Sequence, residues 1–124
     1  QLRAINLARY LTTNPKFFIV SDSMDIAKKE LGDMQDASFI SGSPLEDFII
    51  MTKCSNNIIA NSTFSWWAAY LNQNENNLVI APSPRYSNAV FEQIYKNSKR
   101  REEKREFYSK YSYPKDWIAL KYKD

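Results

Sequence analysis

The chain has 124 residues, with 17 basic and 14 acidic side chains and a formal net charge of +3. That length suffices for one domain with a sizeable core. There is no histidine and a single cysteine, Cys54, which excludes a disulfide within the chain, a His/Cys zinc site and any Ser-His-Asp or Cys-His catalytic group.

Residues 5–11 read as the end of an amphipathic helix, with Ile5, Ala8 and Leu11 on one face, and Asn14-Pro15 stops it. Phe17-Phe18-Ile19-Val20 is a continuous apolar strand ending in Ser21-Asp22-Ser23. Residues 25–31 make a short helix closed by Gly32. Ala37-Ser38-Phe39-Ile40 is a second strand, ending in Ser41-Gly42. Pro44 and the acidic pair Glu46-Asp47 open a third helix through Phe48, Met51 and Cys54, the last read as a small buried hydrophobe. Residues 57–60 form a third strand and residues 63–71 the next helix. In that helix Phe64, Trp67, Ala68 and Leu71 follow the i, i+3, i+4, i+7 rule, which predicts Trp67 in the core and Trp66 with Tyr70 on the other side. Leu78-Val79-Ile80-Ala81 is the fourth strand, stopped by Pro82 and Pro84. The remainder, about 88–124, is expected to be a helical tail.

The net charge is local. Lys96, Lys99, Arg100, Arg101, Lys104 and Arg105 face only Glu102, Glu103 and Glu106, so this segment carries +3 by itself and the rest of the chain is balanced. Mixed signs at helical spacing read as a solvated face with pairs one turn apart. A nucleic-acid arm would be purer in sign, so no nucleic-acid partner is expected. Contact between 96–105 and anionic lipid is the other reading, and with the lone thiol it suggests a cytoplasmic setting peripheral to an inner membrane.

Short apolar strands alternating with helices of about ten residues predict an α/β fold: a Rossmann-like, doubly wound parallel sheet. Ligands of such sheets bind beyond the carboxyl ends of the strands. Ser21-Asp22-Ser23, Ser41-Gly42, Asn61-Ser62-Thr63 and Pro82-Ser83 all fall at those ends. The strand-to-helix junction at Asn61-Ser62-Thr63 is suited to an anion, because a helix N-terminus offers unpaired N–H groups and partial positive charge. It reads equally as a capped core helix with no ligand. With two glycines, Gly32 and Gly42, neither GxGxxG nor GxxxxGK[ST] is present.

The blocks Phe17-Phe18-Ile19-Val20-Ser21-Asp22, Asp47 with Met51-Thr52-Lys53-Cys54, and above all Asn57-Ile58-Ile59-Ala60-Asn61-Ser62-Thr63-Phe64-Ser65-Trp66-Trp67-Ala68-Ala69-Tyr70-Leu71 resemble the carboxyl-terminal half of α-1,2-fucosyltransferases, glycosyltransferase family 11. Val79-Ile80-Ala81-Pro82 and Tyr113-Pro114-Lys115-Asp116-Trp117-Ile118 match late segments of that family. The resemblance implies a GT-B type enzyme of two Rossmann-like domains. It would move fucose from GDP-fucose to the 2-hydroxyl of a terminal galactose on a glycan acceptor, with inversion and without a metal or other cofactor. Residues 1–124 would be the GDP-fucose-binding carboxyl-terminal domain. The family's arginine-rich block, His-x-Arg-Arg-Gly-Asp, is not in this chain, so the amino-terminal domain is expected as a missing partner and the chain alone is expected to be inactive.

The resemblance also distributes roles. Asn61, Ser62, Thr63 and Phe64 would meet the diphosphate. Asp47 would accept from guanine N1–H and N2–H₂, since a carboxylate offers two acceptors to that donor pair; Asp47 beside Glu46 also reads as a charge favouring the helix dipole. Asp22 would line the donor pocket, or alternatively cap the helix that follows. No residue here is assigned as general base. Another acceptor linkage and a non-catalytic sugar-nucleotide-binding module remain open readings.

Overall fold

The computed structural model describes residues 2–83 and 88–121; Gln1, residues 84–87 with the expected strand stop Pro84, and residues 122–124 lie outside the described residues. Helices and strands alternate through most of the chain: α1 (Leu2–Leu11), β1 (Phe17–Val20), α2 (Met24–Leu31), β2 (Ala37–Ile40), α3 (Pro44–Lys53), β3 (Asn57–Ile58), α4 (Thr63–Tyr70) and β4 (Val79–Ser83). Two helices, α5 (Asn88–Tyr95) and α6 (Arg101–Tyr111), then precede a last strand, β5 (Ile118–Lys121). The tail is therefore not wholly helical. Ile118 and Leu120 alternate with more exposed neighbours, and β5 pairs with β4.

All described strand pairs are parallel, as short apolar strands linked by helices require. The strands form two small sheets, β1-β2 and β3-β4-β5, rather than one continuous layer. β4 is the centre of the larger sheet, and its alternate residues build two cores. Val79 and Ala81 pack with Ile59 and Ala69 of the α4 side, joined by Trp66, Tyr113 and Trp117. Ile80 packs with Ala4 and Ala8 of α1, joined by Phe17, Ile58, Ile118 and Leu120. Helices thus lie on both faces of this sheet.

Pro82 stands inside β4 opposite Leu120, not at a strand stop. In a parallel strand the polar groups of alternate residues point to opposite neighbours. The carbonyls of Leu78 and Ile80 accept from Asn57 and Ile59 of the β3 side, so residue 82 also faces that side, where β3 has already ended. No ladder bond is lost there by having no N–H. The Pro82 carbonyl instead accepts from the Tyr113 hydroxyl at 2.6 Å.

The helix α4 corrects the expected face. Trp67 is 50% exposed, and Phe64 and Leu71 are also exposed, while Ser65, Ala68 and Ala69 are buried against the sheet. Trp66 joins the core, stacked on Tyr70 and tilted against Trp117, and its indole N–H donates to the Ser112 carbonyl at 2.8 Å. Small residues at the contact let the helix approach the sheet closely; a tryptophan there would hold it away.

An amide network closes the amino edge of β3. Asn57 donates to the Met51 carbonyl, and Asn72 donates to the Cys54 carbonyl at 2.6 Å and to Asn57 Oδ1 at 2.9 Å. Asn74 adds a bond to Cys54 O, and Asn56 Oδ1 accepts from Leu78 N–H. These side chains satisfy carbonyls that the end of α3 would otherwise leave open. Cys54 is half-buried rather than fully buried, and desolvation pushes its thiol pKa up.

The basic segment ties the two tail helices together. Glu92 of α5 receives both Arg101 and Arg105 of α6, Arg105 lies over the Phe91 ring at 4.9 Å, and Lys104 lies over Tyr95 at 4.7 Å. Arg100 pairs with Glu103 one turn on, at 2.6 Å.

Candidate functional site

The carboxyl ends of β2 and β3 lead into α3 and α4, and these two helix starts lie side by side. Phe48 of α3 meets Phe64 of α4 edge-on, with ring centroids 5.3 Å apart. This contact brings Asp47 to the same rim as Asn61, Ser62, Thr63 and Phe64, of which the last four are all exposed.

Both helix starts are capped by serine. Ser43 Oγ accepts from Glu46 N–H at 3.2 Å, completing half of an S-x-x-E capping box, and Pro44 fills the first helical position. Ser62 Oγ accepts from Ser65 N–H at 3.2 Å and lies 2.7 Å from Ser65 Oγ. The buried Ser65 hydroxyl also reaches the carbonyls of Ala60 and Ser62, each at 3.2 Å. Ser62 is therefore a helix cap first. Its hydroxyl proton turns outward only when Ser65 donates to it. Thr63 and Phe64 supply the first N–H groups of α4, which no carbonyl of the helix can accept. Together these make a compact donor surface for an anion.

Asp47 is the unusual side chain of the rim. Its Oδ1 is buried and has no hydrogen-bond partner among the described residues. It faces the space left by Gly42, where a Cβ would fall 3.1 Å from Asp47 Oδ1 and 2.8 Å from Glu46 Oε2. Asp47 also stands in the first turn of α3, where a carboxylate favours the helix dipole.

Asp22 lies two residues past the end of β1, which lies beside β2 in register from Phe17 with Ala37 to Val20 with Ile40. It is not a helix cap. Ser23 holds that position ahead of α2 without a side-chain bond, and Ser23 N–H donates to Ser21 Oγ at 3.0 Å. Asp22 is exposed, one strand over from Gly42, and no hydrogen bond links it to Asp47 or to the α4 start among the described residues. Of the site residues read from the sequence, the fold brings five to one corner of the rim and leaves Asp22 at its margin.

Ser41-Gly42 is expected on this rim from the sequence, whereas Ser43 and Ser65 are additions of the structure. Ser43-Pro44-Leu45-Glu46 carries the S-x-x-E spacing that could have found the first of these. A cavity of about 810 Å³ lies away from this rim, in the split between the two sheets. Its walls include Thr13, Lys16, Asn56 and Asn57, near the amino ends of β1 and β3.

Residues 2–108 match the model of Glycosyl transferase family 11. The chain belongs to this family. It is 38% identical over 68 residues to the O-antigen biosynthesis glycosyltransferase WbnK of Escherichia coli, covering 52% of this chain and 22% of that protein. It is 38% identical over 88 residues to an alpha-1,2-colitosyltransferase of Escherichia coli, covering 64% and 30%. It is 34% identical over 74 residues to galactoside alpha-(1,2)-fucosyltransferase 2 of Rattus norvegicus, covering 56% and 21%. The matched regions span between about a fifth and a third of the length of these family 11 relatives. No solved structure matches the chain.

Proposed function

We propose that this chain is the donor-binding, carboxyl-terminal domain of a GT-B type α-1,2-fucosyltransferase whose complete sheet is doubly wound. The enzyme would transfer fucose from GDP-fucose to the 2-hydroxyl of a terminal galactose. Family membership and the α-1,2 linkage that names the colitosyl- and fucosyltransferase relatives support the reaction class. The observation that carries the donor assignment is the Phe48–Phe64 contact, which joins the start of α3, where Asp47 stands, to the start of α4 with its open N–H groups. A guanine edge presents two adjacent donors, and a diphosphate presents acceptors; the rim offers a carboxylate for the first and N–H groups with hydroxyls for the second.

The chemistry asks for that pairing. In an inverting transfer the acceptor oxygen attacks the anomeric carbon as its bond to the β-phosphate oxygen breaks, and negative charge grows on the departing GDP. The N–H groups of Thr63 and Phe64, with the α4 dipole, would stabilise that charge as it forms. In this reading the leaving group departs without a metal, its charge met by the start of α4. Transfer by the enzyme at the length of its relatives is expected to survive EDTA, and loss on chelation with recovery on adding Mn²⁺ would refute that part.

Calorimetric titration of the folded chain tests the donor site. Asp47→Asn should narrow the gap in affinity between GDP and ADP, because an amide adds a donor facing guanine's donors. Thr63→Ala should weaken both diphosphates alike, by about 1 kcal/mol. Unchanged discrimination in Asp47→Asn would leave that side chain as a dipole partner alone. Comparing GDP-fucose with GDP-colitose as donors decides the sugar.

A further inference from the structure

The segment that carries the net charge lies outside the donor rim, and the fold sorts its charges by type. Arg101 and Arg105 both pair with Glu92, and Arg100 pairs with Glu103. Among the described residues Lys96, Lys99 and Lys104 enter no ion pair. Lys96 and Lys99 are exposed at the turn between α5 and α6. The arginines are spent on glutamates, and the positive surplus of the segment resides on lysines.

Exposed apolar side chains stand beside them. Ile94 of α5 is 54% exposed and Phe107 of α6 is 57% exposed. At about 3.6 residues per turn, Arg100, Lys104 and Phe107 fall on one stripe of α6, while Glu102 and Glu106 fall on its far side. Glu103, the acid nearest the stripe, is the one held by Arg100. Lys104 Nζ lies over the Tyr95 ring, 4.7 Å from its centroid. That contact sets the stripe against the end of α5, where Ile94 and Lys96 flank Tyr95 in the chain.

This combination selects among anionic partners. A discrete phosphate or carboxylate is read best by a guanidinium fork, and Arg100, Arg101 and Arg105 are already engaged with acids of this chain. An ammonium is a hydrated point charge that suits a diffuse negative surface. Ile94 and Phe107 ask for a surface with an apolar layer beneath its charge, which a bilayer has and a soluble polyanion lacks. With 11 residues α6 is too short to span a bilayer, so its place is in the interface plane.

We propose that the end of α5, the turn after it and the Arg100–Lys104–Phe107 stripe of α6 dock this chain on an anionic lipid surface. Lys96 and Lys99 meet the headgroups, and Ile94 and Phe107 enter the boundary between headgroups and acyl chains. The proposal rests on the tail helices and is independent of the donor assignment at Asp47 and α4.

Flotation with vesicles tests it, using phosphatidylcholine alone or with about 30% phosphatidylglycerol. The chain should partition onto the anionic vesicles at least about tenfold more than onto the neutral ones, and raising salt from about 50 to about 500 mM should remove most of that difference. Lys96→Glu combined with Lys99→Glu should lower the partition about tenfold, and so should Ile94→Ser combined with Phe107→Ser. Both pairs alter exposed sites, so melting temperatures should stay near that of the parent chain. Phe107→Trp offers a readout that keeps the apolar ring: its emission should be quenched by brominated phosphatidylcholine in the anionic vesicles, beyond any quenching of the parent chain. Equal partition onto neutral and anionic vesicles, an unchanged partition in either double variant, or no added quenching in Phe107→Trp would overturn the proposal. So would equally tight binding of soluble poly-glutamate that ignores Ile94 and Phe107, since an acidic polypeptide would then be the partner.

Discussion

β1 and the first three residues of β4 are both uninterrupted apolar runs, and the fold treats them differently. Val79, Ile80 and Ala81 of β4 are each 1% exposed, whereas no residue of β1 is fully buried and Phe18 is 48% exposed. Composition does not explain this; neighbours do. β4 has a strand on each side and helices on both faces, while β1 has β2 on one side and the open groove on the other. An apolar run reports that a strand is suited to burial, but burial itself depends on what pairs with its edges.

The sharpest way to break that comparison is to truncate one isoleucine in each strand. Ile80→Ala should cost about 3–5 kcal/mol of stability and Ile19→Ala about 1–2 kcal/mol, by urea unfolding. Equal costs would contradict the comparison.

The larger sheet also owns the indole anchor. Trp66→Ala should cost about 3 kcal/mol, through lost packing and the lost bond to Ser112, and Trp67→Ala less than about 1 kcal/mol. A reversal of that order in thermal melting would restore the face that helical spacing suggested. The helix caps mark where the two regions should not differ. Ser43→Ala and Ser62→Ala should each cost about 1 kcal/mol, since each removes one accepted N–H bond at a helix start.

The smallest effect belongs to the exposed Arg9–Asp36 pair at the edge of the smaller sheet. Hydrogen bonding from Arg9 holds the Asp36 carboxyl below its ordinary pKa, with burial opposing. A depressed carboxylate contributes stability above its unfolded value and loses it as pH falls through the folded one. The difference in melting temperature between wild type and Asp36→Asn should therefore be present at neutral pH and fade below about pH 4. A difference that grows on acidification would reverse the sign.

Much of this was legible in the residues. Phe17-Phe18-Ile19-Val20 and Ala37-Ser38-Phe39-Ile40 became β1 and β2 at the expected positions, because a short apolar run between turn residues has few other uses. The rim followed from parallel topology, and Asn61-Ser62-Thr63-Phe64 lies on it beside Asp47. What failed did so for identifiable reasons. α4 is apolar on nearly every side, so spacing cannot select its buried face; the close approach permitted by Ser65, Ala68 and Ala69 does. β5 is short and flanked by charge, and its pairing depends on an edge of β4 that only the fold reveals. Pro82 reads as a strand stop until one knows that β3 ends before reaching it.

The claim that the carboxyl rim is the nucleotide site is tested most directly by following backbone amide chemical shifts while GDP is added to the folded chain. The account predicts that shifts concentrate at Gly42, Asp47, Thr63 and Phe64, with Thr13, Lys53 and Asn56 unmoved. Shifts confined to those last three, which wall the groove between the sheets, would contradict it.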